Sequence, residues 1–325
     1  MKFNERPPFS NEQSSPSRQT ASPIVSQPLV GIGVPVYNGG SMLVACLDAV
    51  VAQTYDNLDI VISDNASTDE TRSICERYAS RDSRIRFFPA TENRGAAWNH
   101  RYVLERARGE YFKWCAADDT MAPEFVERCV AALEARPDVV LAFPLTIVID
   151  ETGQPVRRTD ARLPLTSPQA RIRFDALLSP WDVTHSPFYG VMRRSGVDRV
   201  RPFGPFLAGD RSFLAELALA GPFFQVEEFL MYRRHYSKHW KRSSKDEQAL
   251  LNPTAQLDYH PREFVMLREH VSGAIRAEAS VAARLGYLLT IGRWVFRNRA
   301  AFVREARDYI RYVLRRAMGR QSTRS

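Results

Sequence analysis

The chain has 325 residues, 44% hydrophobic and 25% charged, an ordinary globular composition that excludes a low-complexity chain and leaves enough apolar residues for a large core. Its net charge of +8 is unevenly placed, because residues 261–325 carry 14 Arg against four Glu and one Asp while the rest is close to neutral. A nucleic-acid role therefore draws only on a basic tail without a recognised motif, and with no run of 18 apolar residues a spanning helix is not expected.

Residues 1–28 are polar and rich in Pro and Ser, which predicts a disordered tail and matches no signal peptide. Leu29 to Val34 is a short apolar run closed by Pro35, and Tyr37-Asn38-Gly39-Gly40 reads as a turn. A helix follows from about Ser41, with Leu43, Leu47 and Val50 at helical spacing. Leu58 to Ser63 is the second strand and leads into the acidic loop Asp64-Asn65-Ala66-Ser67-Thr68-Asp69. The Ser67 or Thr68 hydroxyl is expected to open a helix over Asp69 to Ala79. Ile85 to Phe88 is a third strand, and Asn93-Arg94-Gly95 turns into a helix over Ala96 to Arg106. Tyr111 to Ala116 is a fourth strand ending in Asp118 and Asp119, and Pro123 begins a helix that stops before Pro137. Val139 to Ile149 is a fifth strand region interrupted at Pro144.

Short apolar strands alternating with helices predict an α/β fold with a mostly parallel sheet covered on both faces. Periodicity weakens after residue 155, where a polar loop runs to Gln169 and a short helix covers Arg171 to Leu178. Phe188 to Arg193 reads as a strand, Ser212 to Ala220 as a helix, and Phe223 to Tyr232 as a final strand or hairpin. The expected division is a tail over 1–28, a catalytic domain over 29–245 and an Arg-rich helical extension over 246–325. Cys46, Cys75, Cys115 and Cys129 lack metal-type spacing and read as buried free thiols.

Gly31-Ile32-Gly33 lies inside a strand and is followed by Val34-Pro35, so it is not the dinucleotide fingerprint. The turn from Pro35 to Asn38 can present Tyr37 to a planar base while Asp64 accepts from a base N–H, or it can be a structural turn only. Open parallel sheets bind ligands beyond the carboxyl ends of their strands, where both acidic loops fall. Asp118 can hold a hard cation, Mg2+ or Mn2+, against a diphosphate. Helix capping is the rival use of such a pair, and Asp119 fits the cap better. Arg233, Arg234, His235, Lys238, His239 and Lys241 form a basic cluster suited to a diphosphate, with His235 a candidate metal ligand, or else an exposed loop.

Taken in order, Val34-Pro35-Val36-Tyr37-Asn38, Asp64 to Asp69, Asn93-Arg94-Gly95 and Ala116-Ala117-Asp118-Asp119 resemble the family 2 glycosyltransferases of the GT-A fold over roughly residues 29–240. The resemblance implies a Rossmann-like sheet and inverting transfer from a UDP-, GDP- or dTDP-sugar to a hydroxyl of a glycan or lipid-linked acceptor. It implies donor contacts from Pro35, Tyr37, Asn38, Asp64, Asn93, Arg94, Asp118 and Arg233, a cation on Asp118 with His235, and Asp210 as the base. Asp210 as the cap of the following helix is the competing reading. Where that family carries DxD the first position here is Ala116, so a catalytically inactive nucleotide-binding protein is the alternative.

From Leu285 onward, Leu288, Ile291, Val295, Phe302, Ala306, Tyr309 and Val313 recur mostly three or four apart, with arginines on another face. Such an extension fits an anionic membrane surface, with Trp294 and Phe302 inserted, or packing on the domain or a second subunit. The expected location is cytoplasmic, peripheral on the inner face of the cell membrane, with a homo-oligomer left open.

Overall fold

The computed structural model describes residues 27–159, 162–179, 185–202, 204–235, 251 and 261–321. Strands β1 (Val30–Val36), β2 (Leu58–Asp64), β3 (Ile85–Pro89) and β4 (Tyr111–Trp114) are parallel neighbours in the order β3-β2-β1-β4. Every residue of β1 and β2 is buried, as continuous apolar strands covered on both faces should be. Between them run α1 (Gly40–Val51), α2 (Thr71–Ala79) and α3 (Ala96–Arg106). The chain steps outward from β1 to β3 and then crosses to the far side of β1 as β4. A topological switch therefore falls between β1 and β4, and a crevice opens beyond their carboxyl ends.

Gly31 and Gly33 let α3 approach this sheet closely. A Cβ on Gly31 would lie 2.6 Å from the Arg108 carbonyl oxygen, and one on Gly33 would lie 2.7 Å from Val103 Cγ2. Both glycines are thus packing residues.

The second half of the sheet is built from β5 (Thr120–Met121), β6 (Leu141–Ile149), β7 (Pro155–Thr159), β8 (Val191–Arg193) and β9 (Phe223–Arg234). Among the described residues the sheet runs β3-β2-β1-β4-β8-β6-β9-β5, with β7 paired to β6. Short β8 is antiparallel to both β4 and β6, whereas β6 and β9 are parallel. Their register shifts beside Pro144, which has no N–H to donate to a ladder. The helices here are α4 (Phe125–Glu134), α5 (Ala170–Leu178), the single turns α6 (His185–Phe188) and α7 (Arg194–Val197), and α8 (Gly209–Ala220).

Three details differ from the sequence reading. The segment expected as a polar loop includes β7, an exposed edge strand with no apolar alternation to announce it. Phe188 ends a helical turn instead of opening a strand, and of the strand or hairpin expected from Phe223 the structure has one strand that runs two residues further, to Arg234.

One core cluster joins Leu43, Leu47, Ile74, Phe125 and Leu133 to the sheet, and a second joins Val103, Phe174, Phe213 and Leu217 to Trp114 and Leu141. The C-terminal helices α9 (Arg262–Arg276), α10 (Val281–Arg297) and α11 (Arg299–Gln321) enter the second cluster through Met266, Tyr287, Ile291, Trp294 and Phe302. Trp294 stands edge-on to His270 and to Phe302, at 5.3 and 5.4 Å between ring centroids. The expectation that Trp294 and Phe302 enter a bilayer is therefore corrected, since both rings and Ile291 are core. All four cysteines are buried free thiols, and residues 1–26 of the expected tail lie outside the described residues.

Candidate active site

The loops leaving β1, β2 and β3 are stitched together by side chains. Asn38, with φ of 51°, donates its backbone N–H to Ser67 Oγ (2.8 Å), and its Oδ1 accepts from the Thr68 N–H (2.9 Å). Asp69 accepts from the N–H groups of Gly40 and Thr71, both at 3.0 Å. The side-chain acceptor at the start of α2 is therefore the Asp69 carboxylate and not the Ser67 or Thr68 hydroxyl. Asn65 accepts from the Arg94 N–H (3.0 Å) and donates to Asn93 Oδ1 (2.9 Å), which also accepts from the Gly95 N–H. These contacts give Asn38 and Asn93 loop-bracing work. Asp64 is only 2% exposed and its Oδ1 accepts from the Ser67 N–H, so this carboxylate also braces its loop.

Between the loops lies a cavity of about 60 Å³ lined by Pro35, Tyr37, Asn65, Asn93, Asn99 and His100. Tyr37 is 39% exposed at its edge. Asn99 donates to the carbonyls of Val36 (3.2 Å) and Ser63 (3.0 Å), while its buried Oδ1 has no hydrogen-bond partner among the described residues. A buried acceptor without a donor is costly, which favours a polar ligand or water here. Arg94 stacks on Trp98, 4.5 Å above its ring.

The acidic loop after β4 is held from the opposite end of the sheet. Asp119 Oδ1 accepts from the Arg234 N–H at 2.8 Å, where β9 ends. The Arg234 guanidinium donates to the carbonyls of Asp118 (3.0 Å), Asp150 and Glu151 (2.9 Å each). Asp119 is thus a tie between strand ends and not a helix cap, because α4 starts only at Phe125. Burial first, and then the Asp118 charge, push Asp119 up to about 8, against the pull of the Arg234 N–H and Arg233. Two carboxylates in this loop resist ionising together, and a cation would relieve them. Beneath, the Cys46 and Cys115 sulfurs lie 3.5 Å apart, and Cys46 donates to the Ala116 carbonyl.

Asp210 lies in the first turn of α8, which begins at Gly209 after Ala208 in the left-handed region, so it is not the cap. One turn on, Phe213 meets Trp114 of β4 edge-on at 5.3 Å, and Trp114 stacks flat on Phe188 at 4.7 Å. This aromatic anchor fixes Asp210 relative to β4. Tyr189 joins the parts, since Asp119, Arg233, Asp118 and Asp210 all lie within its electrostatic reach. Burial, then the Asp119 charge, raise its phenol well above its ordinary value, so it stays a neutral donor. His100 is held neutral by burial, its Nδ1 lies 2.8 Å from the Ala96 carbonyl, and Asp210 is in its field.

The residues fit a divalent cation in part. Mg2+ and Mn2+ are commonly held by one or two carboxylates plus phosphates and water, which Asp118 and Asp119 suit. His235 is not brought to them: it is exposed, its backbone N–H donates to the Ile149 carbonyl, and no group of three or more metal-ligating side chains forms among the described residues. Lys238, His239 and Lys241 lie outside those residues. Of the predicted set, Pro35, Tyr37 and Asn93 share the cavity, while the charges of Asp118, Arg233 and Asp210 all act on Tyr189. The sequence reading missed Asn65, Asn99, His100, Tyr189 and the structural use of Arg234. His100 was legible in principle, one helical turn into α3 from a recognised loop.

Residues 32–201, just over half of the chain, match the model of glycosyl transferase family 2. "Glycosyltransferase GlyG" of Streptococcus pneumoniae is 32% identical over 114 residues, 35% of this chain and 38% of that protein. "Chondroitin synthase" of Escherichia coli is 33% identical over 119 residues, 37% of this chain and 17% of that one, so the chain spans well under half of each relative. Among solved structures, Staphylococcus aureus TarS 1-349 in complex with UDP-GlcNAc superposes with a TM-score of 0.59 at 17% identity, over 87% of this chain and 80% of that one. The mannosyltransferase PcManGT of Pyrobaculum calidifontis, in complex with GDP-Man and Mn2+, gives 0.51 at 20% identity, over 85% and 76%. With the sheet order, the switch-point crevice and the four loop motifs in place, the chain belongs to glycosyl transferase family 2 and has the GT-A architecture.

Proposed function

We propose that this protein is an inverting glycosyltransferase that moves a sugar from a nucleotide diphosphate to a hydroxyl of a glycan or lipid-linked acceptor. The observation that carries the reading is the acidic loop of Asp118 and Asp119, tied by Arg234 at the β1/β4 switch, with the Asp210 helix anchored on Trp114 of the same β4 through Phe213. The base of the donor fits the cavity edged by Tyr37, Pro35 and Asn99, and Arg233 supplies positive charge toward the diphosphate. Asp210 takes the proton of the acceptor hydroxyl as that oxygen attacks the anomeric carbon, and the nucleoside diphosphate leaves from the opposite face. General base action of this kind is worth about 10²- to 10⁴-fold. When bound at Asp118, Mg2+ or Mn2+ supplies charge neutralisation on the departing diphosphate. A neutral Tyr189 can donate a hydrogen bond within the same site. Nucleotide-sugar complexes of TarS and PcManGT support the donor class. The inactive alternative gains no support from the family match or from the nucleotide-sugar complexes of the structural neighbours.

No helix among the described residues is long and apolar enough to cross a membrane. The location we propose is the inner face of the cell membrane, reached peripherally. The test is hydrolysis and transfer across UDP-, GDP- and dTDP-sugars with Mg2+ or Mn2+, followed by mass spectrometry of products on native lipid extract. Nucleotide binding without turnover on any donor would return the reading to the inactive alternative.

A further inference from the structure

Helix α10 is apolar on two sides, and only one of them is used. Tyr287, Ile291 and Trp294 are buried in the core. Val281, Leu285, Leu289 and Phe296 are exposed, and at 3.6 residues per turn they fall within about 80° of arc on roughly the opposite side. A helix apolar all round is normally covered all round. Helix α11 carries a similar exposed row past Phe302, with Val303, Ile310 and Leu314 spaced i, i+7, i+11. Exposure in the two rows runs from 55% at Leu314 to 74% at Val281. Neither row is the stripe that the sequence periodicity singled out.

Charge accompanies the apolar rows. Arg304, Arg311 and Arg315 each follow one residue after Val303, Ile310 and Leu314, so a row of exposed guanidinium groups flanks the apolar row along α11. Helix α10 contains three arginines and no acid. The two acids of α11 are already engaged: Glu305 accepts from the Glu263 N–H at 2.8 Å, and Asp308 lies 3.5 Å from Arg311 and 3.9 Å from Arg307.

We infer that the outer rows of α10 and α11 seat the protein on an anionic bilayer, with Leu289, Phe296, Ile310 and Leu314 in the acyl boundary and the flanking arginines on lipid phosphates. An apolar row beside an arginine row is the pattern of a helix lying in the interfacial plane. A second copy is the poorer occupant. A two-fold interface sets a patch against itself, so arginine rows would face each other with no acid left to pair them. Anionic headgroups supply the missing charge. The inference deepens the membrane placement proposed above, and its test does not depend on sugar transfer.

The full-length chain is floated with phosphatidylcholine vesicles, with and without phosphatidylglycerol, at low and high ionic strength. Wild type should float with the anionic vesicles only, and salt should reduce but not abolish binding. The pairs Leu289→Gln/Phe296→Gln, Ile310→Gln/Leu314→Gln and Arg304→Gln/Arg311→Gln should each lower the bound fraction at least about fivefold, with Tm and donor hydrolysis unchanged. Wild type that ignores anionic vesicles overturns the inference, and so do apolar pairs that float as wild type does. A wild-type dimer that the same apolar pairs dissociate would assign the face to a second copy instead. Should a pair fail to fold, the wild-type lipid and salt series still decides.

Discussion

Acid should destabilise this protein through His270. The ring is 3% exposed and edge-on to Phe174 and Trp294, at 6.0 and 5.3 Å between centroids, and Nε2 has no partner among the described residues. Burial, reinforced by the charge of Arg211, pulls its pKa from 6.5 down to about 3. The unfolded chain therefore takes up a proton as pH falls through 6.5, while the folded protein does not until about 3. Across that window the unfolded state binds more protons, so stability is complete above it and is lost as pH falls. At about 1.4 kcal/mol per pH unit of full difference, going from about pH 7 to about pH 5 costs about 2 kcal/mol. Urea unfolding at both pH values, for wild type and for His270→Phe, isolates this contribution. The variant keeps an aromatic ring against Trp294 but has no proton to bind. Wild type should lose about 2 kcal/mol more than the variant between the two conditions; equal losses would refute the assignment of a buried neutral imidazole.

Asp118→Ala should lower nucleotide-sugar turnover by about 10²-fold or more while Tm is kept, and unchanged turnover at saturating Mg2+ or Mn2+ would remove Asp118 from the cation site. Asp210→Asn should leave calorimetric donor binding intact and cut transfer by about 10²- to 10⁴-fold; wild-type transfer would move the base elsewhere. Glu216 is a poor substitute, because Arg276 holds both its oxygens at 2.8 Å. Arg234→Met should lower Tm and weaken donor binding together, since hydrogen bonds from a charged donor are worth about 1.5–3 kcal/mol each before solvent discounts them. Arg233→Met should weaken donor binding with Tm unchanged, and identical behaviour of the two variants would contradict their different placements.

The first half of the fold was legible because its strands are apolar runs that stop at Pro35, Asp64 and Asp118, and each stop lies at a carboxyl end. Strand β7 was not, because Pro155-Val156-Arg157-Arg158-Thr159 is an exposed edge, held mainly by the backbone ladder to β6, with no apolar alternation. Candidate chemistry was legible where a side chain offers a charge beside a strand end, as at Asp118, or in the first turn of a helix, as at Asp210. It was hidden where a side chain acts on backbone. Nothing in the residue type of Arg234 tells that its partners are three carbonyls, or in Asn38 that its amide oxygen is spent on Thr68. Asp64 reads in the sequence as an acceptor for a base N–H, and what spacing did not show is that its Oδ1 also accepts from the Ser67 N–H. In the C-terminal helices periodicity showed apolar rows, yet α10 carries two, and sequence spacing alone does not say which one the core takes.

The shortened acidic motif has a physical reading in the same terms. The loop from Ala116 to Asp119 is bounded by β4 on one side and tied on the other to the end of β9, 115 residues later in the chain. Asp119 is 4% exposed and resists ionisation because of that burial first and the Asp118 charge second. An aspartate at 116 would add a third carboxylate beside the buried Asp119 and raise the cost of holding charge there. With alanine at 116, the loop has two carboxylates, of which Asp119 is spent on the Arg234 backbone and Asp118 is the one proposed for a cation. Its rigidity then comes from the Arg234 guanidinium, which grips carbonyls on both the acidic loop and the β6–β7 turn, and not from a complete cage of acidic ligands.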